Sequence, residues 1–471
     1  MSWSVGCSSH KAGGNANAIA GAAGATVAGP DGNGTSSAGA GGASANAGSN
    51  SNSGSAGRSG AAGSSGTAGA GTSGAPAIGT DAGMPGGQDA GMSAPTDCNG
   101  MPLGPRARVH TMAAIGPEAA GLTAYWPTTA WKSADPATLG LDATKLQAAV
   151  DFSTAYSSNQ AVFVVRHGYV AAEKYFGGFS ATMQHESYSM AKSFTGVLVG
   201  IAIDQGLLSG VDEKICKYYP SNWNCNDSSD PRSRITVEHA MNIETGLQWS
   251  EDWRSNATGV NDAFNFDLLT TVLSRPAVDE PGTKKRYSTG DPALLTGVIQ
   301  GVTGKTAFAF AQQVLLNPIG ATGVTWNSDS SGRTTTYAGV QATAADYARF
   351  GYLLLNHGQW DGKQLVSAKW VDFTTQAVDP CTEWYRFLYH INPPVRLGPQ
   401  DPSCPSLFCQ PTSYADLPGN TYFAAGINGQ LIFIMPSVDM VIVRLASDQS
   451  GSEHWDEYAR EFLTHILDAV K

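Results

Sequence analysis

Basic side chains are scarce in this 471-residue chain: 28 Lys and Arg against 39 Asp and Glu leave a formal net charge of -11. Nucleic-acid binding needs clustered Lys and Arg to neutralise phosphates, and no such stripe is present, so no nucleic-acid partner is expected. Long apolar runs are missing as well. From Arg106 onward none reaches the roughly 18 to 20 residues of a spanning helix, and the body of the chain is expected to be soluble. Residues 1–105 are so poor in large apolar side chains that they cannot build a core. Between Lys11 and Pro95 they form a low-complexity tract of Gly, Ala, Ser and Asn. Such a tract behaves as a flexible tether, because ordering it costs entropy that no burial offsets. The strict third-residue glycine and abundant proline of collagen are absent from it.

Cysteine is sparse too. Seven occur, Cys7, Cys98, Cys216, Cys225, Cys381, Cys404 and Cys409, and an odd number in an extracellular context asks for one special thiol. Ser4-Val5-Gly6-Cys7 resembles the end of a bacterial lipoprotein signal, whose cysteine becomes the lipidated first residue. Position 4 holds Ser rather than Leu, and the charged and apolar parts of a signal do not precede it, which a start site set too far downstream would explain. A stray N-terminal cysteine is the alternative. The other six suffice for three disulfides, the habit of oxidising compartments. Cys216 and Cys225 bracket a short loop with Tyr218, Pro220 and Trp223 and are expected to pair, while Cys98, Cys381, Cys404 and Cys409 allow three connectivities. Zinc would need a Cys-x-x-Cys or His-x-x-x-His pair near these residues, and there is none. The expected location is secreted, periplasmic or outer-surface, with membrane contact only through a lipid on Cys7.

What is present is a body, residues 106–471, rich in Trp, Tyr, Phe, Leu and Val, enough for one catalytic domain or two intergrown lobes. Ala161 to Arg166, the turn His167-Gly168 and Tyr169 to Phe176 predict a hairpin. Met190 to Gln205 is apolar nearly all round and ends at Gly206, which predicts a buried helix. Thr236 caps a short helix through Ile243, and Asp291-Pro292 reads as the start of a helix with Leu294, Leu295, Val298 and Ile299 on its core face. Thr343 and Asp346 form a capping pair before a helix through Leu355. Tyr422 to Ala425, Gln430 to Met435 and Met440 to Leu445 predict three strands, and Asp456 to Val470 a closing amphipathic helix. The order predicts an α+β fold: an antiparallel β-sheet flanked by helices, with a mostly helical lobe.

Ser189-Met190-Ala191-Lys192 is the motif that carries chemistry. Ser-x-x-Lys puts a hydroxyl and an amine on one helix face, and a serine in the first turn has an N–H with no helical acceptor, able to hold an oxyanion. A lysine among apolar side chains is desolvated, which lowers its pKa and lets it take the serine proton. Alone, the motif occurs often by chance. Here it opens a buried helix behind a strand hairpin.

Ser187 to Gly196 resembles the first motif of the class C β-lactamase-like serine hydrolases, a group that includes esterases, D-aminopeptidases and nylon-oligomer (aminohexanoate-dimer) hydrolases. Asp204 to Leu208, Glu244 to Leu247 and Ala345 to Gly351 look like further landmarks of that family, in order, and the similarity spans Leu139 to Lys471. The resemblance implies the serine β-lactamase/DD-peptidase-like fold and makes Ser189 the acylated nucleophile and Lys192 its base. Tyr287-Ser288-Thr289 stands in the place of the family's Tyr-x-Asn motif, with Tyr287 as a phenol that is partly deprotonated near the lysine ammonium and shuttles the proton. For the third motif, the Lys-Thr-Gly or His-x-Gly strand, the matching segment is Gly426-Ile427-Asn428-Gly429-Gln430. Ile427 replaces the cation that reads the carboxylate of a β-lactam, which turns the expectation from β-lactamase to esterase or amidase.

Gly304-Lys305-Thr306 imitates the end of a P-loop, but the first glycine of that pattern falls at Ile299, so ATP is not implied. No Gly-x-Ser-x-Gly elbow occurs in the body. His185 and His390 read as surface or supporting groups. The expected protein is a hydrolase without cofactor or metal, acting on a small-molecule ester or amide. The alternatives are a non-catalytic wall-binding or sensor module of the same fold and a D-amino-acid peptidase or carboxypeptidase. The loop from Trp249 to Phe266 and the insertion from Pro380 to Pro411 are expected to shape the pocket.

Overall fold

The computed structural model describes residues 120–156, 158–251, 259, 267–376, 385–391, 417–447 and 455–471. The tether, Cys7, Cys98, Cys381, Cys404, Cys409, most of the loop up to Phe266 and most of the Pro380 to Pro411 insertion lie outside the described residues.

The apolar runs assemble into one sheet. Its strands are β1 (Asn159–Arg166), β2 (Tyr169–Tyr175), β3 (Tyr385–Arg386), β4 (Tyr389–Ile391), β5 (Tyr422–Gly426), β6 (Gln430–Met435) and β7 (Met440–Ala446), in the order β2-β1-β7-β6-β5-β4-β3. All neighbours are antiparallel. The expected hairpin is β1 and β2, joined by His167 and Gly168 at φ 52° and 74°. β6 and β7 are buried throughout and β1 almost so. A strand covered on both faces has no solvent side, so these sequences read as continuous apolar runs instead of alternating ones.

The five longest helices among the described residues are α1 (Ala143–Phe152), α2 (Ala191–Asp204), α3 (Leu295–Thr303), α4 (Ala344–Leu355) and α5 (Trp455–Asp468). α4 begins with the expected Thr343–Asp346 capping box. It packs on the face that carries Ile432 and Val441, so closely that a methyl on Gly351 would stand 2.6 Å from Val441 Cγ1. Side chains alternate faces along a strand, so Arg444 points to the other side, where its guanidinium lies 4.3 Å from the ring centre of Tyr458 in α5. α1, capped by Asp142, packs against α5 and is not among the elements read from sequence.

Between β2 and β3 lies the mostly helical lobe, with α2, α3 and the short helices Val237–Met241, Leu268–Leu273, Gly290–Ala293 and Ala307–Ala311. Every residue of α2 from Ala191 to Ala202 is buried, and Gly206 follows its end at φ 68°. Cys216 and Cys225 are joined in a disulfide, with their Cα atoms 5.4 Å apart. One helix start is corrected. The turn at Asp291-Pro292 already begins at Gly290, and Asp291 does not cap it. Its carboxylate accepts instead from Ser288 Oγ (2.8 Å) and from the N–H of Thr245 (3.1 Å). The local signal is outbid by a tertiary demand, since both groups lie in a buried segment and need an acceptor.

Candidate active site

Ser189 lies in a 3-10 turn, Tyr188–Met190, that feeds directly into α2. The preceding Tyr188 has φ 46°, a region bulky residues rarely occupy, so the surrounding contacts must hold it there. Glu186 Oε1 accepts from the N–H groups of Tyr188 (3.1 Å) and Gly339 (2.8 Å). The Ser187 N–H donates to Val340 O (2.8 Å), and the Val340 N–H donates back to Ser187 Oγ (3.0 Å). The serine turn is thereby clamped to the strand Val340–Ala342.

One helical turn on, Lys192 Nζ donates to Ser189 Oγ at 2.7 Å and to Tyr337 O at 3.2 Å. Lys192 is 1% exposed. Burial drives its pKa down to about 8, with the negative charge of Glu251 opposing. A buried amine of that pKa is neutral in a substantial fraction near pH 8 and can accept a proton from the hydroxyl beside it.

Tyr287 is buried, is hydrogen-bonded to Ser189, and has Lys192 Nζ 5.3 Å from its ring centre. The structure therefore brings the three predicted residues together. Its electrostatics correct one expectation. Burial raises the phenol pKa and Glu251 adds to the rise, outweighing the Ser189 hydrogen bond, which favours the protonated phenol over the partly deprotonated one expected. The segment is held from two sides. Ser288 is tied to buried Asp291, whose pKa burial lifts to about 6. Glu251 accepts from the Thr289 N–H and, at 3.0 Å, from Thr289 Oγ1, and is itself steadied by Trp249 Nε1 at 2.6 Å.

Sequence reasoning missed Glu251, whose position beside Thr289 exists only once residues 38 apart are folded together. Of the two expectations for His390 and His185, surface or supporting groups, burial excludes the first. His390 stacks on Phe423 (5.0 Å between centres) and lies 6.5 Å from the Tyr287 ring. Burial, aided by the Lys192 charge, pushes its pKa to about 3, which keeps the imidazole neutral.

The third predicted motif is placed differently. Ile427–Gly429 is a turn, with Asn428 at φ 65° and Gly429 at φ 77°, and the segment that abuts the serine is the end of β5 just before it. A methyl on Gly426 would stand 2.2 Å from Ser187 O and 3.2 Å from Tyr188 Cβ, so only glycine permits this approach. β5 pairs with β4 only through Tyr422 and Phe423. Ala424, Ala425, Gly426 and half-buried Ile427 follow beyond that pairing, with Gly426 against the serine turn. Gln430 is turned away, its amide exchanging hydrogen bonds with the backbone of Ala446. Gly429 is turned away as well, its carbonyl accepting from Arg444.

The sequence profile of the beta-lactamase family matches residues 155–464. The chain belongs to the beta-lactamase family. Among its relatives is the 6-aminohexanoate-dimer hydrolase of Paenarthrobacter ureafaciens, 24% identical over 375 residues that cover 73% of this chain and 89% of the relative. Solved structures of the same fold include a penicillin-binding protein homologue from Caulobacter crescentus, with a TM-score of 0.54, 13% identity and coverage of 72% of this chain and 98% of the other. A hydrolase with promiscuous acyltransferase activity has a TM-score of 0.52 at 16% identity, over 68% of this chain and 98% of its own. The serine β-lactamase and penicillin-binding-protein fold expected from the motifs is thus the fold of this beta-lactamase family member.

Proposed function

We propose that this protein is a serine hydrolase of ester or amide bonds that works through an acyl-enzyme on Ser189. The observation that carries the reading is the Ser189–Lys192–Tyr287 cluster, in which one hydroxyl is bonded to a buried amine and to a buried phenol. Ser189 Oγ attacks the carbonyl carbon while its proton passes to neutral Lys192. The oxyanion forms against the backbone N–H groups of Ser189 and Ile427. Tyr287 gives its proton to the leaving oxygen or nitrogen and recovers one from the Lys192 ammonium. Water then attacks the acyl carbonyl by the same relay in reverse.

Esters and simple amides suit the site better than β-lactams. The strand end that meets the serine turn at Gly426 reads Ala424, Ala425, Gly426, Ile427, without a charge to read a substrate carboxylate. The hydrolase relatives support the same class. Residues 106–471 form the catalytic domain in this reading, and residues 1–105 a tether lipidated at Cys7 outside the cytoplasm; incorporation of labelled palmitate that Cys7→Ser abolishes would support that part, and unlabelled wild type would refute it. Hydrolysis of short p-nitrophenyl acyl esters tests the chemistry. Ser189→Ala and Lys192→Ala should each lose more than about a thousandfold in kcat/KM, and an unimpaired Ser189→Ala refutes it. A single equivalent of product without turnover would make the protein a binder.

A further inference from the structure

We propose that Arg444 is a positioning residue for the oxyanion site: from the opposite face of the sheet it holds the Gly429 carbonyl and so fixes the turn, following Gly426, that carries the Ile427 N–H assigned above to the oxyanion. The proposal rests on the acyl-transfer reading above.

Arg444 is 1% exposed, deep in β7. Among the described residues its guanidinium donates to three oxygens. Nε donates to Asn159 Oδ1 at 2.7 Å, Nη1 to Gly429 O at 3.1 Å and Nη2 to Ser158 Oγ at 3.4 Å, while its carbon lies over the Tyr458 ring. The grip is itself anchored: Asn159 Nδ2 donates to Ser153 O at 2.7 Å, and Ser153 Oγ and Tyr458 OH share a hydrogen at 2.7 Å. Desolvating a cation is costly, and an apolar side chain would fill the same space more cheaply. What a guanidinium adds is a rigid fork whose donors reach three acceptors at once, one of them in the turn.

The turn needs such a hold. Asn428 and Gly429 are both in the left-handed region, which asparagine and glycine adopt more readily than other residues, so steric limits alone do not lock the turn. At one end, Gly426 is seated against Ser187 O. At the other, the bond from a cation to the Gly429 carbonyl is of the strong, charge-assisted kind. Ile427 lies between these two pins, within a span too short to absorb a rotation at either. Because peptide units are planar, releasing the Gly429 carbonyl first turns the unit it shares with the Gln430 N–H, and the short turn passes that rotation back toward the unit that carries the Ile427 N–H.

The test compares an oxo ester, p-nitrophenyl acetate, with its thiono analogue on wild type, Arg444→Lys, Arg444→Met and Ser189→Ala. Sulfur accepts hydrogen bonds weakly, so aligned oxyanion donors favour the oxo ester. In variants with wild-type circular dichroism, kcat on the oxo ester should fall about tenfold or more. KM should stay within about twofold, and the oxo-to-thiono rate ratio should drop in parallel. Folded variants that keep wild-type kcat and ratio overturn the proposal, and so does failure of both variants to fold, which assigns Arg444 to stability alone. Wild-type turnover by Ser189→Ala would instead remove the acyl-enzyme reading itself.

Discussion

Lys192 has two opposed influences on its charge, burial that favours the amine and Glu251 that favours the ammonium. If the neutral amine is the base, kcat/KM for ester hydrolysis rises with pH and levels off above about 8. Glu251→Gln removes the anion that sustains the ammonium, so the rising limb should move to lower pH; a limb that stays in place or moves up would detach Glu251 from Lys192. Lys192→Arg keeps a cation but offers no base, and its kcat should fall to the level of Lys192→Ala. Gly426 is a steric case. Its neighbour within 2.2 Å of an added methyl is a backbone oxygen, which cannot swing aside as a side chain would. Gly426→Ala should cost about 1–3 kcal/mol in urea unfolding and lower kcat, because relief of the clash moves β5 off the serine turn.

The elements that sequence makes legible are those whose signal is local. β6 and β7 are continuous apolar runs, α2 is apolar all round, and α4 carries its capping box in four residues. The same local logic fails at Asp291, where Asp-Pro looks like a cap but the carboxylate serves Ser288 and Thr245. It fails also at the third motif, because whether Gly426 or Gly429 faces the serine depends on how β5 docks, not on the spacing of glycines. Asp291 has a measurable signature. Its folded pKa is lifted from 3.8 to about 6, so folding takes up a proton between those values. The associated stability is fully present below about pH 3.8 and is lost as pH rises through 6. Calorimetry from pH 4 to 7 should show this downward slope in wild type and not in Asp291→Asn; an equal slope in both would place the titration elsewhere.

For the whole molecule, the α+β order of elements is readable from sequence and the candidate site in part. Ser189, Lys192 and Tyr287 announce themselves by motif and order, whereas Glu251 and His390 join them only through long-range packing. The Cys216–Cys225 disulfide joins residues nine apart in sequence in the helical lobe. Replacing both cysteines with Ser should lower unfolding stability by about 2–3 kcal/mol, read from denaturant melts with and without reductant, and reductant should then have no further effect on that loop. A variant as stable as oxidised wild type would show that the bond adds nothing. The central claim, that one serine carries the acyl group, is tested most directly by reacting the full-length protein with a fluorophosphonate probe and mapping the adduct by peptide mass spectrometry. The account predicts one adduct per chain, on Ser189, absent from Ser189→Ala and slowed in Lys192→Ala. An adduct on another residue, or labelling that survives Ser189→Ala, would contradict it.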